Sequence, residues 1–265
     1  MSAAVPGDLL PTGSISPGES FSALLRARGL DPRWEASAAG GLSAPEGTTV
    51  LALRYGSGVV MAGDRRATAG NLIAHHNVQK VFPADAYSAV AISGTAGIAA
   101  ELIRLFQTEL EHYEKLEGRR LSLEGKANYL ASMIRRQLPM AFQGLVVIPL
   151  FCGYDPDDDT GRLYSFDVVG GRYEEADYAA TGSGGRDAKL FLRGAFRPDL
   201  ERDEAVRLAV EALVAAAEED TATGGPDLRR GIYPTVVTVA DDGLIELTDD
   251  EVAPVARAVL EEAGS

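Results

Sequence analysis

Short apolar runs separated by polar turns fill most of the chain beyond Val50, and their residue types predict β-strands. The first two runs are Val50–Tyr55 and Val59–Ala62, and the gap between them, Gly56-Ser57-Gly58, suits a hairpin because it is short and contains glycine. Further strands are predicted at the runs that follow, which are Leu72–Ala74, Lys80–Phe82, Ala89–Ile92, Leu145–Phe151, Leu163–Val168, Arg172–Tyr178, Pro234–Val239 and Leu244–Leu247.

Two stretches in the middle of the chain instead show apolar residues at helical spacing. Their apolar faces consist of Ile98, Leu102, Phe106, Leu110 and Tyr113 in the first stretch and of Leu123, Ala127, Leu130, Ile134 and Leu138 in the second. The polar face of the second helix is expected to carry Lys126, Arg135 and Arg136. Pro139 is expected to end this helix, because proline cannot continue the helical hydrogen bonds.

A second pair of helices is predicted over residues 186–193 and 203–218, which follow the later strands. Near the C-terminus, Thr248 and Glu251 have the spacing of a capping box, which predicts one last helix. The order of elements is therefore strands, two helices, strands, two helices, strands and a helix. This order predicts an α+β fold in which two sheets lie between layers of helices.

The bulk composition limits what the chain can bind. Its net charge of −14 argues against nucleic acid, because nucleic-acid binding needs a basic surface. Its apolar runs are shorter than the roughly 18 residues of a membrane helix, and its N-terminus lacks the basic and apolar regions of a secretory signal. The only cysteine, Cys152, lies in an apolar run, which indicates a buried structural thiol and a reducing compartment. We expect a cytoplasmic protein without membrane contact.

Metal ligands are few in this sequence. It has three histidines and one cysteine, and adjacent His75 and His76 would face opposite sides of a strand, which argues against a zinc site. The acidic stretch Asp155–Gly161 has Thr160 and Phe166 where an EF-hand loop needs glycine and glutamate. We interpret this stretch as an acidic hairpin turn and expect no metal and no cofactor.

Residues 1–47 differ from the rest because they are crowded with Gly, Pro, Ser and Ala, a composition that does not support a core. Phe21, Leu24 and Leu25 can share one face of a short helix behind Ser20 as its N-cap, and the only tryptophan, Trp34, also lies in this segment. Composition alone allows a flexible tail, or a segment whose small helix docks transiently on a partner.

Gly47 and Thr48 stand at the boundary between this segment and the first strand. The spacing alone indicates that Thr48 simply starts a strand, as threonine commonly does. If the bond after Gly47 is cut, Thr48 carries a hydroxyl and a free amine whose ordinary pKa of about 7.7–8.0 lets it accept the hydroxyl proton. Gly47 suits such a cut, because a residue without Cβ tolerates the strained backbone that attack on its carbonyl requires.

Five ordered motifs give the sequence a specific resemblance to a known family. They are Gly47–Gly70, Lys80, Ser93–Ala96, Gly182–Gly184 and Asp220–Gly225. From Gly47 to near its C-terminus the chain resembles a proteasome β-subunit, and its long leader and its Thr223–Asp227 segment are most similar to the actinobacterial branch. The resemblance implies the four-layer αββα sandwich of N-terminal-nucleophile hydrolases, a propeptide over residues 1–47 removed by self-cleavage, and a catalytic domain over residues 48–265.

The resemblance also implies the roles of individual residues in a threonine endopeptidase. Thr48 is expected to be the nucleophile, Lys80 the cation that lowers the pKa of its hydroxyl, and Asp64 the carboxylate that orients Lys80. Gly94 is expected to supply the N–H of the oxyanion hole near a helix N-terminus. A supporting hydrogen-bond network is expected from Ser183, Asp220 and Thr223, the last at a place more often held by serine in this family.

Substrate contacts and partners follow from the same resemblance. Ala67 and Thr68 match a strand edge that pairs with an extended peptide. The positions that line the first specificity pocket match Val78, Ile92 and Ala96, and because all three are apolar, cleavage after hydrophobic residues is expected. The resemblance further implies homo-oligomeric heptameric β rings, two in each particle, between α-subunit rings that receive unfolded protein from a regulatory ATPase.

Two alternatives remain open. A smaller bacterial ATP-dependent protease with six-membered rings also begins with Thr-Thr, but its chains are shorter and usually lack a long leader and the Gly224–Asp227 insertion. A non-catalytic ring-scaffold subunit is the other alternative. Such subunits usually lose the residue that matches Thr48, Lys80 or Asp64, and all three are present in this chain.

Overall fold

The computed structural model describes residues 47–263. Within this range the chain forms the strands β1 (Thr49–Tyr55), β2 (Gly58–Gly63), β3 (Ala67–Ala69), β4 (Leu72–His75), β5 (Val81–Asp85), β6 (Ser88–Gly94), β7 (Val147–Asp155), β8 (Thr160–Phe166), β9 (Arg172–Glu175), β10 (Tyr178–Gly182), β11 (Thr235–Ala240) and β12 (Gly243–Glu246). The helices in the same range are α1 (Ala96–Glu117), α2 (Leu123–Arg136), α3 (Leu138–Ala141), α4 (Gly185–Ala195), α5 (Arg202–Glu219) and α6 (Asp249–Ala263).

Most of these strands belong to two five-stranded antiparallel sheets. The first sheet has the order β10-β1-β2-β11-β12 and the second has the order β5-β6-β7-β8-β9, while β3 and β4 form a separate two-stranded ribbon. Strand β1 lies inside the first sheet, with β10 paired on one side and β2 on the other. The start of β1, directly after Thr48, is therefore held between two neighbouring strands.

Three hydrophobic clusters show how the layers stack. Along β1, Leu51 and Leu53 pack with residues of α4, α5 and α6, whereas Val50 and Ala52 pack with residues of the second sheet. This division follows from the alternation of side chains along a strand. A third cluster joins the other face of the second sheet to α1 and α2. The layers are thus helices, sheet, sheet and helices, which confirms the predicted α+β sandwich.

The helix starts show which capping contacts form. Ser122 caps α2, since its hydroxyl accepts a hydrogen bond from the Gly125 N–H at 3.1 Å. Before α6, the Glu251 carboxylate accepts the Thr248 N–H at 2.7 Å, which is the glutamate arm of the predicted capping box. The Thr248 hydroxyl donates to the same carboxylate at 2.8 Å rather than accepting a hydrogen bond from the helix.

Two predicted boundaries are wrong. Pro139 does not end α2, which stops at Arg136; it lies in the first turn of α3, where a missing N–H removes no helical hydrogen bond. The run predicted as one strand over Arg172–Tyr178 is divided, because β9 belongs to the second sheet and β10 begins at Tyr178 in the first. The change occurs at Asp177, whose carbonyl accepts the Arg54 N–H from β1 at 2.9 Å.

Lys126 does not lie on an exposed polar face of α2, as its sequence position predicts. Its side chain is buried and forms an ion pair with Asp85 at 2.5 Å. A buried ammonium is costly without a counter-charge, and Asp85 at the end of β5 supplies one. The lysine therefore belongs to the contact between α2 and the second sheet.

Two turns differ in how well they were predicted. The first hairpin is tighter than expected, because β2 already begins at Gly58, which pairs with Tyr55. Its turn is therefore Gly56-Ser57, with Gly56 at a φ of +35°. The stretch Asp155–Gly161 is a hairpin connection between β7 and β8, as predicted.

Several predictions concern other features of the chain. The short helix around Phe21 and the position of Trp34 lie outside the described residues. Cys152 is a free and buried thiol, as predicted, and burial raises its pKa to about 12. Within residues 47–263, no helix is long and apolar enough to cross a bilayer. The same range contains no group of three or more His, Cys, Asp or Glu side chains placed to hold a metal ion.

Candidate active site

Thr48 immediately precedes β1, and the end of the neighbouring strand holds its backbone. Its carbonyl accepts the Ser183 N–H at 2.9 Å, and the Ser183 hydroxyl donates to the same oxygen at 3.4 Å. The Thr48 hydroxyl donates to the Gly47 carbonyl at 2.7 Å, and the whole residue is only 6% exposed. A buried hydroxyl therefore lies beside the peptide carbonyl that precedes it.

Gly47 occupies a place where no side chain fits. A Cβ built on this residue lies 2.1 Å from the Thr68 hydroxyl oxygen and 2.9 Å from the Ala222 Cβ. These two neighbours belong to β3 and to the loop after α5, so both segments close on the backbone of Gly47. The sequence suggested glycine here for its backbone freedom, and the structure adds close packing as a second reason.

The Asp64 carboxylate, which follows β2, is buried and accepts four hydrogen bonds. Its Oδ1 atom accepts from the Lys80 ammonium at 2.6 Å and from the Thr49 N–H at 2.8 Å. Its Oδ2 atom accepts from the N–H groups of Arg66 and Gly224, each at 2.9 Å. These donors offset the cost of burying the charge. Asp64 thereby joins the start of β1, the end of β2 and the loop after α5.

Lys80, just before β5, directs its ammonium toward two carbonyl groups as well as Asp64. It donates to the Gly47 carbonyl at 3.3 Å and to the Arg66 carbonyl. Burial lowers the pKa of the Lys80 ammonium, and the Asp64 carboxylate acts in the opposite direction. The Thr48 hydroxyl and the Lys80 ammonium thus converge on one carbonyl oxygen, which is an arrangement suited to acyl transfer.

A second polar group contains Asp220, Thr223 and Ser183. The Thr223 hydroxyl is buried and donates to Asp220 Oδ2 at 2.6 Å, while Asp220 Oδ1 accepts the Ala222 N–H at 3.0 Å. Burial acts to raise the pKa of Asp220, but hydrogen bonds from Ser183 and Thr223 outweigh it and hold this pKa below its ordinary value. The structure therefore brings these three predicted residues together.

Two residues that were not predicted from the sequence connect the Asp64–Lys80 pair with the polar group of Ser183, Asp220 and Thr223. The Thr49 hydroxyl oxygen lies 2.6 Å from the Thr223 hydroxyl oxygen, while the Thr49 N–H binds Asp64. The Arg66 guanidinium donates to the carbonyls of Thr221 and Thr223 at 2.9 Å and 3.1 Å. Strand alternation was the available signal for Thr49, since it turns this side chain away from that of Thr48.

Gly94 ends β6 in a conformation that requires glycine. Its φ is +104°, and a Cβ built on it lies 2.1 Å from the Val146 carbonyl oxygen. The next residue, Thr95, donates its N–H to the same oxygen at 2.8 Å and precedes α1. The backbone therefore turns sharply just before a helix N-terminus, which is the local setting that the sequence predicts for Gly94.

The residues predicted to pair with a peptide lie on the short ribbon beside Gly47. Ala67 and Thr68 belong to β3, and both are buried. The partner strand β4 is exposed and carries two apolar side chains, Leu72 and Ile73, toward the surface. Of the two predicted residues, Thr68 is the one whose hydroxyl crowds Gly47.

The three residues predicted to line a specificity pocket lie on different segments. Val78 is half-buried and precedes Lys80 by two positions. Ile92 packs in the cluster with α1, and its N–H donates to the Lys80 carbonyl at 3.0 Å. Ala96 is the half-buried first residue of α1. The backbone of Ile92 is therefore hydrogen-bonded to that of Lys80. Val78 lies shortly before Lys80 in the chain, and Ala96 lies shortly after Ile92.

The layer order and the threonine at the start of an inner strand define a class of protein. The chain has the α+β sandwich of the N-terminal-nucleophile hydrolase type. The family described as "Proteasome subunit" matches residues 44–227. The chain belongs to this proteasome family and groups with its β subunits.

Three similar proteins support this assignment, and each carries the name "Proteasome subunit beta". The protein from Streptomyces griseus is 56% identical over 222 residues, which cover 84% of this chain and 79% of the relative. The protein from Acidimicrobium ferrooxidans is 54% identical over 243 residues, with coverages of 91% and 88%. The protein from Frankia alni is 52% identical over 257 residues, with coverages of 95% and 93%. The family implies assembly into core rings with α subunits.

Proposed function

We propose that this chain is a catalytic β subunit of a proteasome core particle and acts as a threonine endopeptidase. The observation that carries the proposal is the convergence on the Gly47 oxygen of the Thr48 hydroxyl at 2.7 Å and the Lys80 ammonium at 3.3 Å. The Lys80 ammonium on this oxygen would stabilise the negative charge that develops there during attack, and the hydroxyl contact places Oγ beside the carbonyl that it would attack. The geometry therefore supports acyl transfer at the Gly47–Thr48 bond.

The first proposed step is self-cleavage. The Thr48 Oγ attacks the carbonyl carbon of Gly47, and the hydroxyl proton passes to the amide nitrogen as the carbon–nitrogen bond breaks. The product is an ester of Gly47 on the Thr48 Oγ, with the Thr48 amine free. Water then hydrolyses this ester, which releases residues 1–47 with a new carboxylate and restores the hydroxyl. Residues 48–265 form the active subunit.

The freed amine then serves as the base for Thr48 itself. Its ordinary pKa of about 7.7–8.0 leaves part of it neutral near pH 7. It accepts the hydroxyl proton while Oγ attacks the peptide carbonyl, and the proton is passed to the departing amine as the peptide bond breaks. Water hydrolyses the resulting acyl-threonine ester and completes the cycle.

The surrounding residues have supporting roles in this proposal. Lys80, oriented by Asp64, stabilises the developing alkoxide of Thr48 electrostatically. The Gly94 N–H is proposed as the donor of the oxyanion hole. The amine of the mature Thr48 is held by the second polar group, which consists of Ser183, Asp220 and Thr223.

The proposed substrate is an unfolded polypeptide in an extended conformation. Ala67 and Thr68 would pair with its backbone, and Val78, Ile92 and Ala96 would contact the residue before the cleaved bond. Because these three side chains are apolar, a reporter peptide with leucine or tyrosine at that position should be cleaved faster than one with arginine or glutamate. The opposite preference would contradict this part of the proposal.

The proposal extends to the assembly. Two heptameric β rings between α rings would enclose the Thr48 sites in a closed chamber, and a regulatory ATPase would deliver unfolded protein through the α rings in the cytoplasm. The unprocessed Gly47–Thr48 bond would keep the subunit inactive until the rings form.

Co-expression of the full chain with its α-subunit partner tests the proposal. Wild-type particles should contain a chain shortened by residues 1–47 and should cleave peptides, as measured by intact mass spectrometry and a reporter peptide. Thr48→Ala should keep its leader in assembled particles and lose at least about a thousandfold in activity. Ser57→Ala, in the exposed first hairpin turn, is the matched control and should behave as wild type. An active Thr48→Ala particle would refute the assignment, and an inactive wild-type particle would favour the scaffold alternative.

A further inference from the structure

Thr49, the residue after the proposed nucleophile, is fully buried and contacts both polar groups of the site. Its N–H donates to Asp64 Oδ1 at 2.8 Å, and its carbonyl accepts the Asp64 N–H at 3.1 Å. Its side chain points to the opposite face of the strand from that of Thr48 and meets Thr223. The backbone of Thr49 is thus held by Asp64, and its side chain contacts Thr223, which in turn binds Asp220.

The hydroxyl hydrogen bonds around Thr49 can run in only one direction. The Thr223 hydroxyl has one hydrogen, and it is given to Asp220 Oδ2 at 2.6 Å because a carboxylate only accepts. Thr223 must then accept in its 2.6 Å contact with the Thr49 hydroxyl, so Thr49 is the donor. Thr49 in turn accepts the Gly184 N–H at 2.9 Å. The result is a directed chain from Gly184 through Thr49 and Thr223 to Asp220.

This chain passes through a space that only glycine leaves open. A Cβ built on Gly184 lies 2.6 Å from the Thr223 hydroxyl oxygen and 2.8 Å from the Thr49 hydroxyl oxygen. Gly184 also follows Ser183, whose N–H holds the Thr48 carbonyl. The hydroxyl of Thr49 is therefore linked to the same short segment that positions the backbone of Thr48.

We propose that Thr49 is a positioning residue that locks the start of β1 to the Ser183–Asp220–Thr223 group and so aligns the Thr48 hydroxyl. The inference rests on the proposed function of Thr48. The Thr49 hydroxyl both accepts a hydrogen bond, from Gly184, and donates one, to Thr223. Replacing it with a methyl group leaves the buried Gly184 N–H without its acceptor and removes the donor to Thr223, which loosens the alignment.

Three variants of the full chain, each co-expressed with the α partner, test the inference. Thr49→Val removes the hydroxyl with little change in shape, and Thr49→Ser keeps the hydroxyl. Thr238→Val is the matched control, because Thr238 is also buried and lies on β11, which β2 separates from β1 in the same sheet. The measurements are kcat and KM per assembled particle on a hydrophobic reporter peptide, and the rate of leader removal by intact mass spectrometry.

Thr49→Val should lose about tenfold in kcat, with KM within about twofold of wild type and slower leader removal. Thr49→Ser and Thr238→Val should stay within about twofold of the wild-type kcat. A lower kcat with an unchanged KM, restored to the wild-type kcat when serine supplies the hydroxyl, would not be expected if Thr49 had only a structural role. Should Thr49→Val not assemble, Thr49→Cys, with its weak thiol donor, should show a loss of about threefold.

Several results would overturn the inference. The first is a wild-type kcat in Thr49→Val, or in Thr49→Cys if the valine variant does not assemble. The second is a loss of kcat in Thr49→Ser as large as that in Thr49→Val. The third is a loss of that size in the control variant Thr238→Val. An active wild-type particle combined with an equally active Thr49→Val refutes this inference alone. An inactive wild-type particle refutes the proposed function, and the inference with it.

Discussion

Two lysine–aspartate pairs with buried ammonium groups lie in different regions of this protein and look alike by distance. Lys80 contacts Asp64 at 2.6 Å, and Lys126 contacts Asp85 at 2.5 Å. The lysine side chains are 3% and 5% exposed, and their aspartate partners are 0% and 14% exposed. Since both pairs carry the desolvation cost of buried charges, neither their geometry nor their burial tells a catalytic pair from a structural one.

The difference lies in what surrounds each pair. Asp85 also accepts the Tyr87 N–H at 3.0 Å and the Ser88 hydroxyl at 2.6 Å, so the second pair fastens α2 to the turn after β5. The first pair instead faces the Gly47 carbonyl, which the Thr48 hydroxyl also contacts. A buried ion pair indicates chemistry only when its ammonium also reaches a group that can react, and this condition distinguishes the two regions.

The largest expected effect comes from replacing each lysine with methionine, which keeps much of the side-chain volume. Lys80→Met should lose about a thousandfold or more in peptide hydrolysis while rings still form, because the cation beside Thr48 is gone. Lys126→Met should keep its activity per particle within about twofold but lower the free energy of unfolding by about 3 kcal/mol, because Asp85 stays buried without its counter-charge. Peptidase assays and denaturant unfolding measure the two effects.

The two lysine variants also show how the comparison would fail. Equal losses of activity in both would mean that the pairs are not functionally different. A fully active Lys80→Met particle would contradict the role proposed for Lys80. The double variant Asp85→Asn with Lys126→Met should recover part of the lost stability, because it removes both buried charges.

A smaller effect is expected from glycines that are closely packed in each region. Gly47→Ala should slow leader removal by at least about tenfold, because its Cβ lies 2.1 Å from the Thr68 hydroxyl and displaces the scissile carbonyl. Gly153→Ala places a Cβ 2.4 Å from a Leu123 methyl and 2.7 Å from the Tyr87 carbonyl, near the structural pair. It should cost about 1–3 kcal/mol of stability without slowing leader removal. Time courses of intact mass and thermal unfolding separate the outcomes, and slow processing in Gly153→Ala alone would reverse our interpretation.

The smallest effect is a pH dependence that arises from Asp85. Burial acts to raise its pKa, but Lys126 and the local hydrogen bonds outweigh this and hold the pKa below the ordinary value of about 3.9. The stabilisation is therefore complete above about pH 4 and is lost as the pH falls through the folded-state pKa. Between about pH 6 and pH 3, melting temperatures should fall more steeply in wild type than in Asp85→Asn, which has no carboxyl group to titrate. Equal slopes would show that Asp85 does not contribute.

Local patterns predicted much of the fold, and contacts between distant segments account for what they missed. The alternation of Leu51 and Leu53 with Val50 and Ala52 places β1 between two apolar layers, as the two hydrophobic clusters show. The crossing at Asp177 follows Glu174–Ala176, residue types that are uncommon in strands, but nothing in this run indicates that its two halves join different sheets. Which sheet a strand joins depends on the partner it pairs with, and that partner is β1 for Tyr178.

The candidate site shows the same limit more strongly. Spacing alone allows Thr48 to be an ordinary first residue of a strand, and the resemblance to a family was needed to connect it with Lys80. Thr49 was missed because its partners, Gly184 and Thr223, are distant in sequence and meet it only in the folded chain. Lys126 was placed at the surface for the same reason, since nothing near it in the sequence indicates Asp85 as its partner.

The most direct test of the central claim locates the acyl group that a substrate leaves on the enzyme. Particles assembled from the full chain and its α partner are mixed with excess hydrophobic reporter peptide, quenched in acid, digested and analysed by tandem mass spectrometry. Our account predicts an acyl group on the hydroxyl of Thr48 in chains that begin at Thr48, and none on Thr49 or in the Thr48→Ala variant. An acyl group on another residue, or on chains that still begin at Met1, would contradict it.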